Sequence, residues 1–570
     1  MFARVRYNST TPARSPRTLI IIYSPDQVLI MVSNPIRTRA LLLLLAAIAL
    51  SVVILPAALV AQTPDAARAN DLQRALEAYV DKGHTRGAVA WRLNADGSEE
   101  EARVGIDQRT ADARFEAGSI TKVFSSILLA DAVLAGKVTL ETPIAELFPR
   151  SCELAPEVGA ITLKELSTHT SGLPRQAPGR GLLRGFLQLS DPYAGSTREE
   201  LFEALCTLEA DDLKTRGSYS YSNFGVALLG RLLEAVDLSS LDPTLSPDAT
   251  YETRLDTRVL QPLGLTASDF EAAHPHTVPG HRTNHTSAGP WHLDAYNPAG
   301  GLRTTLPDLI ALARNALAAD FPPLALTLEP HHLDEEGNPE VGLGWFFQTL
   351  RSNDTPPESE DVEDTEATKG SGKNERIIWH NGRTGGYFAF IALAPESGRA
   401  VVLLTDTSHG TGFAVDLLRE PTPEPPPLEP NVFFLLFGLF FPWLAPFALF
   451  SLKHRLSLKT IVEPPTDPDA SFWARFMARQ QRQLPAGRVD ALSSFLGAAF
   501  TLLLTYQLGA WQVLPIAIWY AALALTVGLG VRVLPVVVKA PWFGREGWKG
   551  RAMTVINGVI SVGLVVWVVG

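Results

Sequence analysis

The distribution of apolar residues is the feature that most constrains the fold of this chain. Four long apolar runs follow residue 430, at 432–452, 491–509, 513–531 and 553–570. Runs of about 20 apolar residues match the hydrocarbon thickness of a bilayer. Because every backbone polar group in lipid must be paired inside the protein, such runs can only be helical. We therefore predict an α-helical membrane domain of four spans over residues 431–570.

The charges between these runs predict the orientation of the membrane domain. The connections 453–490 and 532–552 carry many Lys and Arg residues, whereas residues 510–512 carry none. Positively charged loops stay in the cytoplasm. Both basic connections are therefore expected inside the cell, which puts residue 430 and everything just before it outside.

The N-terminal segment predicts the same side of the membrane. Arg37 and Arg39 precede an uncharged apolar run at 40–60, and small residues end at Ala61. This pattern is typical of a signal peptide, and the length of the run also fits an uncleaved signal anchor. We interpret residues 1–61 as an N-terminal extension with such a signal. The predicted location is a multi-pass protein of the cell membrane with an extracytoplasmic, periplasmic domain.

The exported part, residues 62–420, has strands at both ends and helices between them. Alternating apolar residues at 87–93 and a following turn predict two strands within 87–106, and short apolar runs predict four more within 342–404, the last two joined by a turn at 395–398. The intervening segment is mostly helical, which predicts an α+β fold with one antiparallel sheet, flanking helices and a helical lobe. Residues 352–375 are acidic and nearly free of apolar residues, so we predict a disordered insertion. Residues 421–430 are rich in proline and predict a stiff linker to the membrane domain.

Composition excludes some functions and leaves others open. The net charge is −11, which argues against a nucleic-acid partner because such proteins present a basic face. The two cysteines, Cys152 and Cys206, permit either a disulfide or two buried thiols. Five histidines between residues 274 and 292 lie in a loop rich in Pro and Gly without metal-ligand spacing, so we predict a solvated loop, no metal and no cofactor. The sequence makes no prediction of the oligomeric state.

One pair of residues suggests nucleophilic catalysis. Ser119 and Lys122 open an amphipathic run that predicts a helix, and residues three apart share a helix face. A serine beside an amine at a helix N-terminus suits a nucleophile whose oxyanion is stabilised by free N–H groups. Serine is also a common helix cap, which is the structural alternative.

Two further constellations follow along the chain. Tyr221 and Asn223 precede a predicted helix, where a phenol near the ammonium of Lys122 could move a proton and an amide could hold a substrate. Their structural alternative is a tyrosine on the core and an asparagine cap. The stretch from His380 to Gly386 ends a predicted strand, and its glycines would let a ligand approach the backbone closely. The alternative there is a simple turn between strands.

Together these motifs resemble the serine β-lactamase and penicillin-binding protein superfamily, in particular its class C β-lactamase-like branch of DD-peptidases and esterases. The family motifs are Ser-x-x-Lys, Tyr-x-Asn and Lys-Thr-Gly or His-x-Gly. Phrases such as LSTHTSGLP, YSNFGVALLG, AGGLRTTLPD and WHNGRTGGY strengthen the resemblance over residues 70–410. It implies a β-lactamase/transpeptidase-like fold.

The resemblance also implies roles for individual residues. Ser119 would be acylated, with Lys122 and Tyr221 sharing its proton, and Asn223 would hold the substrate amide. Substrate binding and the oxyanion hole would further involve His380, Gly382, Arg383 and Thr384, the hole being formed by the N–H groups of Ser119 and Arg383.

One position departs from the family's β-lactamases, because His380 replaces their lysine. A histidine with a pKa near 6.5 would hold a substrate carboxylate less firmly at neutral pH, and the activity on such substrates would fall as the pH rises through that pKa. We therefore predict an acyl-enzyme hydrolase acting on D-Ala-D-Ala-type cell-wall peptides as a carboxypeptidase or endopeptidase. The alternatives are a class C-like β-lactamase, an esterase, or a sensor that binds β-lactams or muropeptides without turnover.

Overall fold

The computed structural model describes residues 18–24, 27–33, 71–106, 112–149, 152–178, 191–238, 246, 248–350, 375–419, 421–428, 432–457, 486–511 and 514–542. Contacts divide the chain into two compact units, of which one contains Ala67–Gly438 and the other contains Leu439–Leu502. The predicted disordered insertion lies outside the described residues except for Glu375. The apolar runs at 40–60 and 553–570 also lie outside them.

The strands of the described residues are β1 (Thr18–Ser24), β2 (Gln27–Ser33), β3 (Ala88–Leu93), β4 (Glu99–Val104), β5 (Arg114–Glu116), β6 (Arg303–Thr305), β7 (His332–Leu333), β8 (Pro339–Val341), β9 (Phe346–Leu350), β10 (Glu375–Arg383), β11 (Phe388–Ala394) and β12 (Arg399–Thr405). β1 and β2 form an antiparallel hairpin that the sequence analysis did not predict. β5 and β6 pair separately as a short antiparallel ribbon.

The main sheet has eight antiparallel strands in the order β4-β3-β12-β11-β10-β9-β8-β7. The first two strands of the domain lie beside the last one, so the sheet is built from both ends of the segment. This confirms the antiparallel α+β prediction. The short edge strands β7 and β8 were not predicted, because two or three residues are too few to show an alternating pattern.

The helices of the described residues are α1 (Asp71–Asp81), α2 (Thr121–Leu134), α3 (Ile144–Leu147), α4 (Pro156–Gly159), α5 (Leu163–Ser167), α6 (Arg198–Cys206), α7 (Asn223–Leu233), α8 (Tyr251–Leu255), α9 (Asn297–Gly300), α10 (Leu306–Ala318), α11 (Pro322–Thr327), α12 (Thr411–Asp416), α13 (Val432–Phe440), α14 (Leu444–Ser457), α15 (Arg488–Leu508) and α16 (Ala517–Lys539). A π-helical turn, Asp256–Leu260, extends α8. Local chemistry fixes several helix starts: Thr162 and Thr197 each form a capping box with the glutamate three residues later.

The sheet is covered by apolar side chains on both faces, and β11 shows why. Ala389, Ile391 and Leu393 belong to the large core that contains α2 and α7, whereas Phe388 and Phe390 belong to a second core with α1 and α12. A strand buried on both faces reads as a continuous apolar run. The central helix α2 is itself buried along most of its length, so the N-terminal end of α2 is held rigidly against the sheet.

Within the described residues, three helices are long and apolar enough to cross a membrane: Val432–Ser457, which joins α13 and α14, Arg488–Leu508 and Ala517–Lys539. Three of the four predicted spans therefore coincide with such helices, and the fourth lies outside the described residues. The prediction ended the third span before Arg532, but α16 continues to Lys539. One charged residue does not interrupt a helix whose backbone hydrogen bonds continue.

The linker and the insertion boundary differ in detail from the predictions. The backbone N–H and hydroxyl of Thr422 both donate to Asp71, and Lys82 pairs with Glu424 at 2.7 Å. The described part of the linker is thus attached to the start of the exported domain. Glu375, which we placed in the disordered insertion, instead begins β10 and forms an ion pair with Arg399.

The two cysteines form a disulfide, Cys152–Cys206. The sequence had left this bond and two free thiols equally open. The bond joins the segment before α4 to the end of α6 across 54 residues of sequence, and it ties together two parts of the helical lobe.

Candidate active site

Ser119 lies in a tight 3₁₀ turn, Gly118–Ile120, that leads directly into α2. The turn requires glycine at its first position, because Gly118 has φ of +52°. The Thr121 hydroxyl donates to the carbonyl of Gly118 and accepts from the N–H of Leu302. Ile120, and not Ser119, occupies the N-cap position of α2 and makes no side-chain cap. The capping alternative for Ser119 is therefore wrong, and its side chain is available for other partners.

The partners of Ser119 are Lys122 and Tyr221. The Nζ atom of Lys122 lies 3.0 Å from Ser119 Oγ, and the Tyr221 hydroxyl donates to the same oxygen at 2.7 Å. Lys122 Nζ is also 2.6 Å from the carbonyl oxygen of Ala299. The sequence analysis missed Ala299, although it noted the phrase AGGLRTTLPD in which the residue lies. A backbone carbonyl carries no residue-specific signal that could have identified it.

Burial shifts the pKa values of both partners in opposite directions. Lys122 is fully buried, and burial, assisted by the charge of Arg175, lowers the pKa of its amine well below the ordinary value. Burial also raises the pKa of Tyr221, against the opposing effects of its hydrogen bond to Ser119 and of Arg175. The expectation that a Lys122 ammonium lowers the pKa of Tyr221 is therefore wrong. The arrangement contains a protonated tyrosine that donates to the serine, and a lysine that favours the neutral amine.

Tyr221 and Asn223 flank the start of α7. Ser222 is the N-cap, and its hydroxyl accepts from the N–H of Gly225 at 2.8 Å, so Asn223 is not the cap that the structural alternative required. The Asn223 side-chain amide donates to the hydroxyl of Tyr193 at 2.8 Å. Tyr193 was not predicted as part of the site.

The end of β10 approaches the serine turn through glycine. A Cβ atom on Gly382 would overlap the carbonyl oxygen of Ala117 and would lie 3.0 Å from the backbone nitrogen of Ser119. A Cβ atom on Gly118 would lie 2.7 Å from the backbone nitrogen of Arg383. The two chains can come this close only because both positions lack a side chain. The backbone nitrogens of Ser119 and Arg383 are thereby brought near each other.

His380 lies within β10, so the simple-turn alternative is wrong for it, whereas the later part of the same stretch, from Thr384, forms the turn between β10 and β11. Its side chain is 1% exposed, its ring stacks on Phe346 at 4.9 Å, and its Nδ1 is 2.6 Å from the carbonyl oxygen of Asn381. Burial, with Lys122 adding to the effect, lowers the pKa of His380 to about 3. The ring is neutral between pH 5 and 8, so the predicted titration of His380 near 6.5 is wrong.

The remaining predicted residue, Thr384, is buried beside the carboxyl group of Glu116. Glu116 accepts from the N–H of Trp291 at 2.9 Å and pairs with Arg303 across the β5–β6 ribbon. Thr384 therefore contributes to the packing that supports the strand entering the serine turn. Its contact with a substrate stays a prediction.

A second buried histidine, His169, lies beneath Tyr221, with the ring centres 4.4 Å apart. Its Nδ1 accepts from the N–H of Ser222, and burial, followed by Lys122, His380 and Arg175, lowers its pKa well below the ordinary value. In the sequence, His169 is distinguished only by its place in the phrase LSTHTSGLP. Its position fixes the loop that carries Tyr221.

A family model described as "Beta-lactamase" matches residues 72–420, which is more than half of the chain.

The chain belongs to the beta-lactamase family.

Curated members that resemble this beta-lactamase-family chain have different names. Penicillin-binding protein 4 of Amycolatopsis lactamdurans is 26% identical over 61% of this chain and 88% of that protein. A beta-lactamase of Escherichia coli (strain K12) is 25% identical over 54% of this chain and 79% of its own. The D-alanyl-D-alanine-carboxypeptidase/endopeptidase AmpH of the same strain is 24% identical over 55% and 76%. The family follows from the model that matches residues 72–420, and the names of these relatives describe different activities.

Proposed function

We propose that this protein is a membrane-anchored, extracytoplasmic serine hydrolase that cleaves D-Ala-D-Ala-type cell-wall peptides through an acyl-enzyme. The observation that carries the proposal is the position of Ser119 Oγ, within hydrogen-bond distance of both Lys122 Nζ and the Tyr221 hydroxyl. A nucleophile needs a base to accept its proton, and a lysine whose pKa is lowered by burial can serve at moderate pH. The similarity to a penicillin-binding protein and to a D-alanyl-D-alanine-carboxypeptidase/endopeptidase supports the substrate class.

Acylation follows from the contacts of Ser119. The neutral amine of Lys122 takes the Oγ proton while Oγ bonds to the substrate carbonyl carbon. The N–H groups of Ser119 and Arg383 stabilise the oxyanion of the tetrahedral intermediate. As the carbonyl re-forms, the bond to the leaving amine breaks. That amine receives the proton from Lys122 by way of the Tyr221 hydroxyl, and an ester on Ser119 remains.

Deacylation reverses the same proton path. A water molecule attacks the ester carbon and gives its proton to the amine of Lys122. The bond to Ser119 Oγ then breaks, the proton returns to Oγ, and a carboxylic acid leaves. Asn223 orients the acyl part of the substrate through its carbonyl oxygen or its second amide N–H, because one N–H of the amide already donates to Tyr193.

Three observations support an extracytoplasmic site in a membrane-anchored chain. The Cys152–Cys206 disulfide fits an oxidising compartment. Three helices have the length and composition of membrane spans, and the basic connections 453–490 and 532–552 place residue 430 outside by the positive-inside rule.

The test is to label the full-length protein and a Ser119→Ala variant with fluorescent penicillin and to follow adduct formation and release, together with D-Ala release from an acyl-D-Ala-D-Ala peptide. We expect a Ser119-dependent adduct and Ser119-dependent D-Ala release. Rapid release of hydrolysed penicillin without peptide cleavage would identify a β-lactamase, and a persistent adduct without any turnover would identify a sensor. No Ser119-dependent adduct or turnover would disprove the hydrolase.

A further inference from the structure

The site lacks a cation where the family motif would supply one. His380 stands at that position, and it is 1% exposed and stacked against Phe346. Its Nδ1 is already engaged with a backbone carbonyl. A neutral, buried imidazole cannot form an ion pair with a substrate carboxylate. If the substrate carries a carboxylate near the scissile bond, another residue must bind it.

Arg175 is an exposed cation at the site. It follows the phrase LSTHTSGLP, and its guanidinium carbon lies 5.1 Å from the centre of the Tyr221 ring. Lys122 Nζ lies 4.9 Å from the same ring centre, so the guanidinium and the catalytic amine are grouped around one tyrosine. Neither the motifs nor the spacing had drawn attention to this arginine.

The backbone of Arg175 is fixed although its side chain is exposed. Its carbonyl oxygen accepts from the N–H groups of Asn223 at 3.0 Å and Phe224 at 3.2 Å. The residue is therefore attached to the start of α7, the element that carries Tyr221 and Asn223. A guanidinium stacked on an aromatic face keeps its N–H edges free for a planar partner.

The charge of Arg175 is not neutralised within the described part of the chain. The structure gives it no ion pair there, whereas Arg303 is paired with Glu116 and Arg114 with Asp269. Residues 179–190, which follow it, contain no Asp or Glu. An unpaired arginine beside a catalytic serine is suited to bidentate binding of a carboxylate.

We propose that Arg175 determines specificity by binding the C-terminal carboxylate of the peptide substrate one residue beyond the scissile bond. The inference rests on the proposed function and narrows it to a carboxypeptidase, because an endopeptidase or ester substrate has no carboxylate at this place. The reach fits: an extended residue spans about 3.5 Å, and the Tyr221 hydroxyl is 2.7 Å from Ser119 Oγ. A carboxylate one residue from the attacked carbonyl therefore comes within range of a guanidinium above the Tyr221 ring.

The experiment uses the full-length protein with one acyl-D-Ala-D-Ala peptide as the free acid and as the C-terminal amide. We expect Arg175→Gln to lower the acid-to-amide ratio of kcat/KM by about tenfold or more, mainly through a higher KM for the acid. Arg175→Lys should retain part of the ratio, since the charge stays and the planar fork is lost. Arg198→Gln is the matched control, because Arg198 is also exposed and lies 5.4 Å above an aromatic ring, that of Phe202.

Binding is measured separately in the Ser119→Ala background, as the ratio of the dissociation constants of the acid and the amide peptides. A ratio unchanged by Arg175→Gln, or an equal loss on both peptides, would overturn the inference. The second result would mean that Arg175 acts only on Tyr221. Arg175-dependent discrimination in binding without Ser119-dependent turnover would support the inference and reject the hydrolase. Ser119-dependent turnover without Arg175-dependent discrimination would support the hydrolase and reject the inference.

Discussion

Lys122 on α2 and His380 on β10 are two buried bases at the same site, and burial affects them with opposite consequences. For Lys122, the lowered pKa favours the neutral amine, the form that could accept a proton from Ser119. For His380, the lowered pKa of about 3 removes the charge that could bind a substrate carboxylate. The same desolvation therefore favours the proposed base on α2 and removes a candidate binding charge on β10.

Substitution of Lys122 on α2 is expected to lower activity more than any change on β10. Lys122→Met keeps the buried volume and removes the base, so kcat/KM on a D-Ala-D-Ala peptide should fall by about 10⁴-fold. The far-ultraviolet circular dichroism and the thermal midpoint of the full-length protein serve as the folding control. A loss below about tenfold, with the fold intact, would show that another group accepts the Ser119 proton.

On β10, the informative substitution is at Gly382, whose backbone approaches the serine turn, and not at His380. Gly382→Ala would place a methyl group against the carbonyl of Ala117 and force β10 away from the serine turn. We expect the rate of acylation by fluorescent penicillin to fall by about 10²- to 10³-fold, the effect of losing an oxyanion donor. Gly289→Ala is the matched control, since a Cβ there meets no atom within 4 Å. Equal activity of both variants would contradict the close approach.

Tyr221→Phe should have a smaller effect than either change. The ring and its packing on His169 remain, and the change removes the hydroxyl that donates the 2.7 Å hydrogen bond to Ser119 and passes the proton to the leaving amine. Because a hydrogen bond to a developing charge contributes about 1.5–3 kcal/mol, kcat should fall by about ten- to hundredfold with little change in KM. Pre-steady-state acylation rates measure this directly. A loss as large as that of Lys122→Met would make the tyrosine, and not the lysine, the base.

The smallest effect is expected from substitution of His380, measured on the pH dependence of kcat/KM. Protonation of Lys122 removes the base, so kcat/KM on an uncharged ester should fall as the pH is lowered through the depressed pKa of Lys122. His380 takes up its proton only near pH 3, so His380→Gln should leave the shape of the profile between pH 5 and 8 unchanged. The appearance or loss of a titration step in that range in the variant would contradict the neutral, buried histidine.

The parts of the site that depend on local spacing could be predicted from the sequence alone. Ser119 and Lys122 share a helix face because they are three residues apart, and the motif Tyr221–Asn223 stands at a helix start that the pattern also predicts. The antiparallel sheet was predictable because alternation at 87–93 and short apolar runs bounded by turn residues at 387–404 both indicate strands. The apolar runs predicted the helices at 432–457, 488–508 and 517–539 for the same reason, since length and composition are local properties.

Properties that depend on burial and on distant parts of the chain could be obtained only from the packed fold. The pKa values of Lys122 and His380 result from desolvation by residues far away in sequence, and no motif contains that information. The Ala299 carbonyl that holds Lys122 is brought in by the packing of α9, and the Arg175 guanidinium above Tyr221 is brought in by the segment that follows α5. Spacing along the chain specified which groups could react, and the packed fold set their charge.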